Sequence, residues 1–250
     1  MIAVLQAPDM KSALARARER CGDDAIVIAT RRLGSGVEIE VELRASATED
    51  WVSAGGAIAI VGPAGAGKST LLAAIAARWV LRHGPRRTVL HGVGGERSRA
   101  ADSLARIGRL LGVPVRCDVD VPTAVKEMLR CAADGLALLE VPAIVDEVGA
   151  RTTLSALAHS PLRVQLALPA TLQRRTADKV IARYQAARPV GVVLTHCADS
   201  AAPQDVLAAA EAAGLAVDWR LDGPRIPDDL CRIDARQRDS SPTRRRHVAA

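Results

Sequence analysis

An α/β fold, a mostly parallel sheet covered by helices on both faces, is predicted by three observations in this chain of 250 residues. Gly62-Pro63-Ala64-Gly65-Ala66-Gly67-Lys68-Ser69 fits the pattern G-x-x-x-x-G-K-[ST]. It lies between an apolar, strand-like run, Ala57 to Val61, and a helix-like run beginning at Ser69. From there to Leu221, short apolar runs alternate with helical patterns, the signature of β-α-β units. A loop of this composition turns backbone N–H groups inward around phosphates, and the helix N-terminus behind it adds its dipole.

The chain before that loop reads differently. Ile2 to Gln6 alternate as a short strand, and Asp9 then caps a helix whose apolar positions include Met10, Leu14 and Ala17 and which Gly22 ends. Ala25 to Ala29 is a second apolar run. Val37 to Leu43 sets Val, Ile, Val and Leu against Glu38, Glu40 and Glu42, the pattern of a half-buried antiparallel strand. Residues 1–44 are therefore expected to form a small β-α-β-β domain. Residues 45–56 are small, polar and glycine-bearing and read as a linker.

The second domain is expected over residues 57–233. Its predicted strands are Ala57–Val61, Thr88–Val93, Val113–Cys117, Leu136–Val141, Val164–Leu168, Gly191–Thr195 and Ala216–Leu221. Its predicted helices are Ser69–Arg82, Ser98–Leu111, Thr123–Ala132, Thr152–Ala158, Thr171–Ala187 and Pro203–Ala213. The last residues, 234–250, are polar and arginine-rich with Pro242 and read as a basic disordered tail.

Composition narrows the function classes. With 49% hydrophobic residues the chain can bury a substantial core, but Phe is absent and aromatics total 2%, so that core is built from Ala, Val, Leu and Ile. Recognition of single-stranded nucleic acid by stacking bases on aromatic rings is thereby disfavoured. Cys21, Cys117, Cys131, Cys197 and Cys231 are odd in number and scattered without a Cys-x-x-Cys pair, which implies a reducing cytoplasm and no metal site. No apolar run approaches a membrane span. A net charge of +6 and a pI near 9.5 leave weak attraction to an anionic membrane surface open, against a plain surplus of dispersed arginine.

Within the loop, Gly65 and Gly67 let the backbone come close to phosphates, Lys68 can reach the β- and γ-phosphates, and the Ser69 hydroxyl can coordinate Mg²⁺. Other candidates are weaker. His83 and His91 lack metal-ligand spacing, and His196 has no Ser or Cys partner in sequence. Cys197 reads as a small buried residue, and Asp118, Asp120 and Asp134 as solvated loop charges.

Several segments together resemble the FlhF family, the flagellar member of the signal-recognition-particle (SRP) class of GTPases. The N-terminal part does so at Gln6-Ala7-Pro8-Asp9-Met10, Ala13-Leu14 and Asp24 to Arg31. The second part does so at Gly62–Thr70, Leu110 to Val115, Leu168-Pro169-Ala170-Thr171 and Gly223 to Leu230. The resemblance implies GTP, or another nucleoside triphosphate, with Mg²⁺. It implies contacts to it from Gly62, Pro63, Ala64, Gly65, Ala66, Gly67, Lys68, Ser69, Thr70, Thr195 and Gly223, and cation contacts from Ser69 and Glu140. It further implies a nucleotide-dependent homodimer at the cytoplasmic membrane face, a MinD-like ATPase regulator and flagellar basal-body components as partners.

The chain departs from that family at named positions. The switch segment Asp-Thr-Tyr-Arg corresponds to Gly94-Gly95-Glu96-Arg97, which keeps the arginine and loses the acid. Asp-Thr-Ala-Gly falls on Glu140-Val141-Pro142-Ala143, and the guanine-reading Thr-Lys-x-Asp on Thr195-His196-Cys197-Ala198. Arg97 and Glu140 are the catalytic candidates that survive. Arg97 alternatively is a surface arginine at a helix start, Glu140 an idle carboxylate at a strand end, and Asp199 a displaced reader of guanine. Three functions remain in view: a switch or scaffold of flagellar placement and assembly with weak or absent hydrolysis, an active GTPase, and a nucleotide-free pseudo-GTPase scaffold.

Overall fold

The computed structural model describes residues 2–21, 26–34, 36–42, 51–94, 99–131, 135–144, 147–200 and 203–233. The chain divides into two units, Met1–Ala54 and Gly55–Ala250.

In the first unit β1 (Ile2–Ala7), α1 (Met10–Cys21), β2 (Ile26–Leu33) and β3 (Gly36–Glu42) follow one another, and both outer strands pair antiparallel to β3. Asp9 caps α1 as its sequence position predicts: Oδ1 accepts the Ser12 N–H at 2.8 Å and Oδ2 the Ser12 hydroxyl at 3.0 Å. Those bonds hold the Asp9 carboxyl below its ordinary pKa. The helix meets the sheet through Ala13, buried with Leu5, Ala7 and Ile39, whereas Met10 and Leu14 are 40% and 42% exposed. The predicted apolar stripe is thus rotated: a small three-stranded sheet offers room for a methyl where α1 touches it, not for two long side chains. β2 also runs past Ala29 to Leu33, because Arg31 lies opposite Glu38 and Arg32 opposite Val37 in the ladder. Trp51–Ala54, read as part of a linker, forms a short helix, α2, with Trp51 and Val52 buried.

In the second unit the order is β4 (Gly56–Val61), α3 (Lys68–His83), β5 (Thr88–Val93), α4 (Arg99–Leu111), β6 (Val115–Asp118), α5 (Val121–Cys131), β7 (Leu136–Glu140) and α6 (Glu147–Ala158). There follow β8 (Arg163–Pro169), α7 (Arg174–Tyr184), β9 (Gly191–Thr195), α8 (Gln204–Ala212), β10 (Ala216–Leu221) and β11 (Leu230–Arg232). Among the described residues these make an eight-stranded sheet, β11-β10-β9-β8-β4-β7-β5-β6, parallel except for β11. β7 and β9 are buried along their whole length, as apolar strands covered on both faces must be. Ala59 and Val61 pack with Ala137, Leu139, Leu166 and buried residues of α5 to α8, while the alternate side chains Ile58 and Ile60 are buried outside that cluster.

Element ends differ from expectation for local reasons. α7 begins at Arg174, not Thr171, because the Leu172 N–H turns back to the Pro169 carbonyl. After Tyr184 it tightens into a 3₁₀ turn, Gln185–Ala187. β6 starts at Val115 because Pro114 has no N–H, although its carbonyl accepts the Leu90 N–H. β11 was not anticipated: a three-residue strand in an arginine-rich stretch has too little periodicity to show.

Gly108 sits in α4 where a Cβ would meet Val115 Cγ2 and, at 2.9 Å, the Val113 carbonyl oxygen. Alanine gains about 1 kcal/mol in helix propensity over glycine, but overpacking against backbone costs about 1–3 kcal/mol. Gly108→Ala is accordingly expected to lower stability by about 1 kcal/mol, read as a reduced urea midpoint at unchanged m-value.

Candidate nucleotide site

The loop Gly62–Gly67 leaves the carboxyl end of β4 and enters α3, between the carboxyl ends of β7 and β8. The chain runs from β4 toward β5 on one side and later places β8 and β9 on the other, so this is a point where the strand order reverses, the usual position of a ligand crevice. Gly62 has φ 151°, and a Cβ there would lie 2.5 Å from the Ala167 carbonyl oxygen, so only glycine lets β4 release the loop so close to β8.

Four loop carbonyls are engaged by side chains. Tyr184 Oη donates to Gly62 O at 2.8 Å, Lys68 Nζ to Gly62 O at 3.0 Å and Pro63 O at 2.8 Å, and Thr195 Oγ1 to Ala66 O at 2.9 Å. His196 Nε2 faces Gly65 O at 3.0 Å, which requires the proton on that nitrogen. A peptide whose carbonyl is held on one side presents its neighbour's N–H on the other. Gly67 caps α3 in the left-handed region with no side-chain hydrogen bond, leaving the first-turn N–H groups to an anion.

Ser69 Oγ donates to Glu140 Oε1 at 2.7 Å. Glu140 ends β7, opposite Ile60 of β4, and its side chain is buried, with Oε2 lacking a hydrogen-bond partner among the described residues. Burial raises the Glu140 carboxyl above its ordinary value, against the opposing pull of the Ser69 hydrogen bond and the Lys68 charge. Burial likewise lowers Lys68, and Glu140 partly restores it. A hydroxyl beside a carboxylate oxygen with no partner is a hard-oxygen set that fits Mg²⁺.

The remaining candidates fall in different places. Pro63, Ala64 and Thr70 lie on the loop and the first turn of α3. Gly94 has φ 110° and donates its N–H to Asp118 O; Arg97, with Gly95 and Glu96, lies outside the described residues. Gly223 lies beside the buried Asp229 carboxylate, where a Cβ would stand 2.6 Å from Oδ2, so its glycine is explained by packing. Asp229 in turn holds Arg225 by a 2.8 Å ion pair and accepts its N–H at 2.9 Å. Ala198 is exposed with its N–H on Asp222 O, and Asp199 is exposed with its carboxylate 3.5 Å from His196 Nδ1. Burial pushes the Cys197 thiol up to about 12, which removes it as a nucleophile.

Of the carboxylates read as solvated loop charges, Asp118 is instead engaged by a buried histidine, while Asp120 is exposed in the loop before α5 and serves there as a helix cap. Asp118 accepts from or pairs with buried His91 at 3.0 Å, and Asp120 caps α5 through the Thr123 N–H at 2.8 Å. Asp134 lies outside the described residues. Tyr184 was missed altogether: nothing around it in sequence marks it, and its partner Gly62 is 122 positions away.

No family model matches the chain. The flagellar biosynthesis protein FlhF of Pseudomonas aeruginosa is 33% identical over 185 residues, 73% of this chain. The chain belongs to the FlhF family. It spans 43% of that relative's length. A crystal structure of FlhF complexed with GTP/Mg²⁺ matches with TM-score 0.58 at 18% identity, over 71% of this chain and 69% of that one. The receptor FtsY from Elizabethkingia anophelis in complex with GDP matches at 0.58 and 18%, over 72% of this chain and 61% of that one. The signal recognition particle 54 kDa protein from Aeropyrum pernix K1 in complex with GDP matches at 0.58 and 20%, over 77% and 47%. The fold of the second unit is that of an SRP-type G domain.

Glu140→Gln separates binding from stability. In the folded chain the raised carboxyl keeps its proton above the ordinary 4.5, so unfolding releases a proton in that window and this group's contribution falls as pH rises through it. The nucleotide-free variant should therefore be about 1 kcal/mol more stable than wild type at neutral pH, with the gap closing toward acid. Urea midpoints across pH test this; a gap independent of pH would contradict it.

Proposed function

We propose that this chain is a nucleotide-dependent switch of flagellar biogenesis whose phosphate loop takes a nucleoside triphosphate with Mg²⁺ and turns it over slowly. The observation that carries the reading is the Ser69–Glu140 pair at 2.7 Å, with the buried Glu140 Oε2 left over beside a carbonyl-outward loop. Gly62 to Thr70 would surround the phosphates, Lys68 exchanging its two loop carbonyls for phosphate oxygens, and Ser69 and Glu140 would hold the cation. Mg²⁺, when bound, neutralises phosphate charge. Thr195 acts by fixing the Ala66 carbonyl.

Slow turnover follows from the groups that remain. Gly94 supplies no carboxylate to orient water. After Glu140, the Val141 N–H is spent on Ile60 O, Pro142 has none, and the Ile144 N–H goes to Tyr184 Oη, so Ala143 alone of these four offers its N–H among the described residues. Loss of one positioning donor lowers a rate by about 10²–10³. Arg97 remains the candidate to meet phosphate charge. Guanine reading is weakened in the same way: the Ala198 methyl accepts no hydrogen bond, and losing two charged ones of about 1.5–3 kcal/mol each corresponds to about two to four orders of magnitude in affinity.

The proposal includes what the family resemblance adds: nucleotide-dependent pairing of two copies, control by a MinD-like ATPase, contact with basal-body components, and a peripheral place on the cytoplasmic membrane face. No described helix is long and apolar enough to cross a membrane.

Titration with fluorescent GTP and ATP analogues, with and without Mg²⁺, is expected to show Mg²⁺-dependent binding that Lys68→Ala abolishes and a GTP preference of no more than about tenfold. Phosphate release should stay close to that of Lys68→Ala. Rapid multiple turnover would favour an active GTPase, and no binding of either nucleotide a nucleotide-free scaffold.

A further inference from the structure

The only tyrosine of the chain, Tyr184, is 1% exposed at the end of α7, and its hydroxyl makes two hydrogen bonds that join separate parts of the site. It donates to Gly62 O at 2.8 Å and accepts the Ile144 N–H at 3.3 Å. Next to it, Arg183 Nη1 donates to the Ile144 carbonyl at 3.4 Å, so the last turn of α7 engages both backbone groups of Ile144. Burial keeps the phenol above its ordinary pKa, so it retains the proton it donates.

We propose that Tyr184 is a positioning residue: its hydroxyl ties segment 141–144 to the phosphate loop and thereby sets the preference of the site for a triphosphate over a diphosphate. This rests on the nucleotide reading above.

The two ends of the link are unequal. Gly62 is confined at the end of β4 against the Ala167 carbonyl of β8, so it stays in place. Ile144 lies two residues after the exposed Pro142 and has its N–H held by Tyr184. A hydroxyl has one proton and two lone pairs, so a single oxygen can serve both partners at once. With the link made, segment 141–144, Ala143 and its N–H included, is held before any ligand arrives, and a terminal phosphate need not order it. With the link cut, the same phosphate must order the segment and binds more weakly, whereas a diphosphate, lacking that group, is indifferent.

Tyr184→Phe keeps the ring and removes only the hydroxyl. Calorimetric titration of wild type and variant with GDP and with a non-hydrolysable GTP analogue, both with Mg²⁺, is expected to show the triphosphate-to-diphosphate affinity ratio falling about tenfold while GDP affinity changes by less than about threefold. Ile144→Pro removes the facing N–H, together with the Ile144 side chain that packs on the core, while keeping the tyrosine hydroxyl. It should produce the same fall, with no further loss in the double variant, and it keeps the test open should Tyr184→Phe not fold. An unchanged ratio, or equal weakening of both ligands, overturns the proposal and leaves Tyr184 a brace of the fold. Wild type that binds neither ligand overturns this proposal together with the nucleotide reading; wild type that binds, with the ratio unmoved in the variants, overturns this one alone.

Discussion

An anion site made of peptide N–H groups exists only while the matching carbonyls are held away from it. In this chain side chains from two other elements hold the loop carbonyls, Tyr184 from α7 and Thr195 and His196 from the end of β9, while Lys68 of α3 rests on two of them. Gly62 O accepts from both Tyr184 and Lys68, and Pro63 O, Gly65 O and Ala66 O each meet one side chain, so the loop is held at both ends and near its middle. The parallel sheet serves this arrangement, because only a fold that brings β4, β8 and β9 to a common end puts residues more than 120 positions apart within hydrogen-bond distance.

The second constraint is electrostatic. Lys68 and Glu140 are both largely out of water, and each is destabilised in its charged form by burial and helped by the other. Neither has ideal partners: lysine rests on neutral carbonyls and one glutamate oxygen on nothing. A protein selected for stability alone would replace such a pair with apolar residues. Keeping it is intelligible where charge is to be met by an incoming ligand, which links the local instability of the site to its chemistry.

The strand–loop–helix around Gly62–Ser69 was legible in the sequence because its signal is contiguous: eight residues specify turn, ammonium and hydroxyl together. The sheet was legible because strands buried on both faces, such as β7 and β9, are uninterrupted apolar runs. What escaped was long-range. Tyr184 gives no local signal, Thr195 entered only through the family resemblance, and the glycine at Gly223 is explained by a carboxylate six residues on, at Asp229. Periodicity also misjudged α1, whose apolar residues Met10 and Leu14 face outward, since a hydrophobic stripe states which residues could be buried and not how much surface awaits them.

The strands at the two margins of the larger sheet, β6 and β11, are four and three residues long. β6 carries Arg116 and Asp118, and β11 ends in Arg232. Brief, charged borders give an incoming strand few main-chain groups to copy and a desolvation penalty for trying. Aggregation by edge-to-edge strand addition is thereby discouraged, and a concentrated pool of the folded chain can persist in solution.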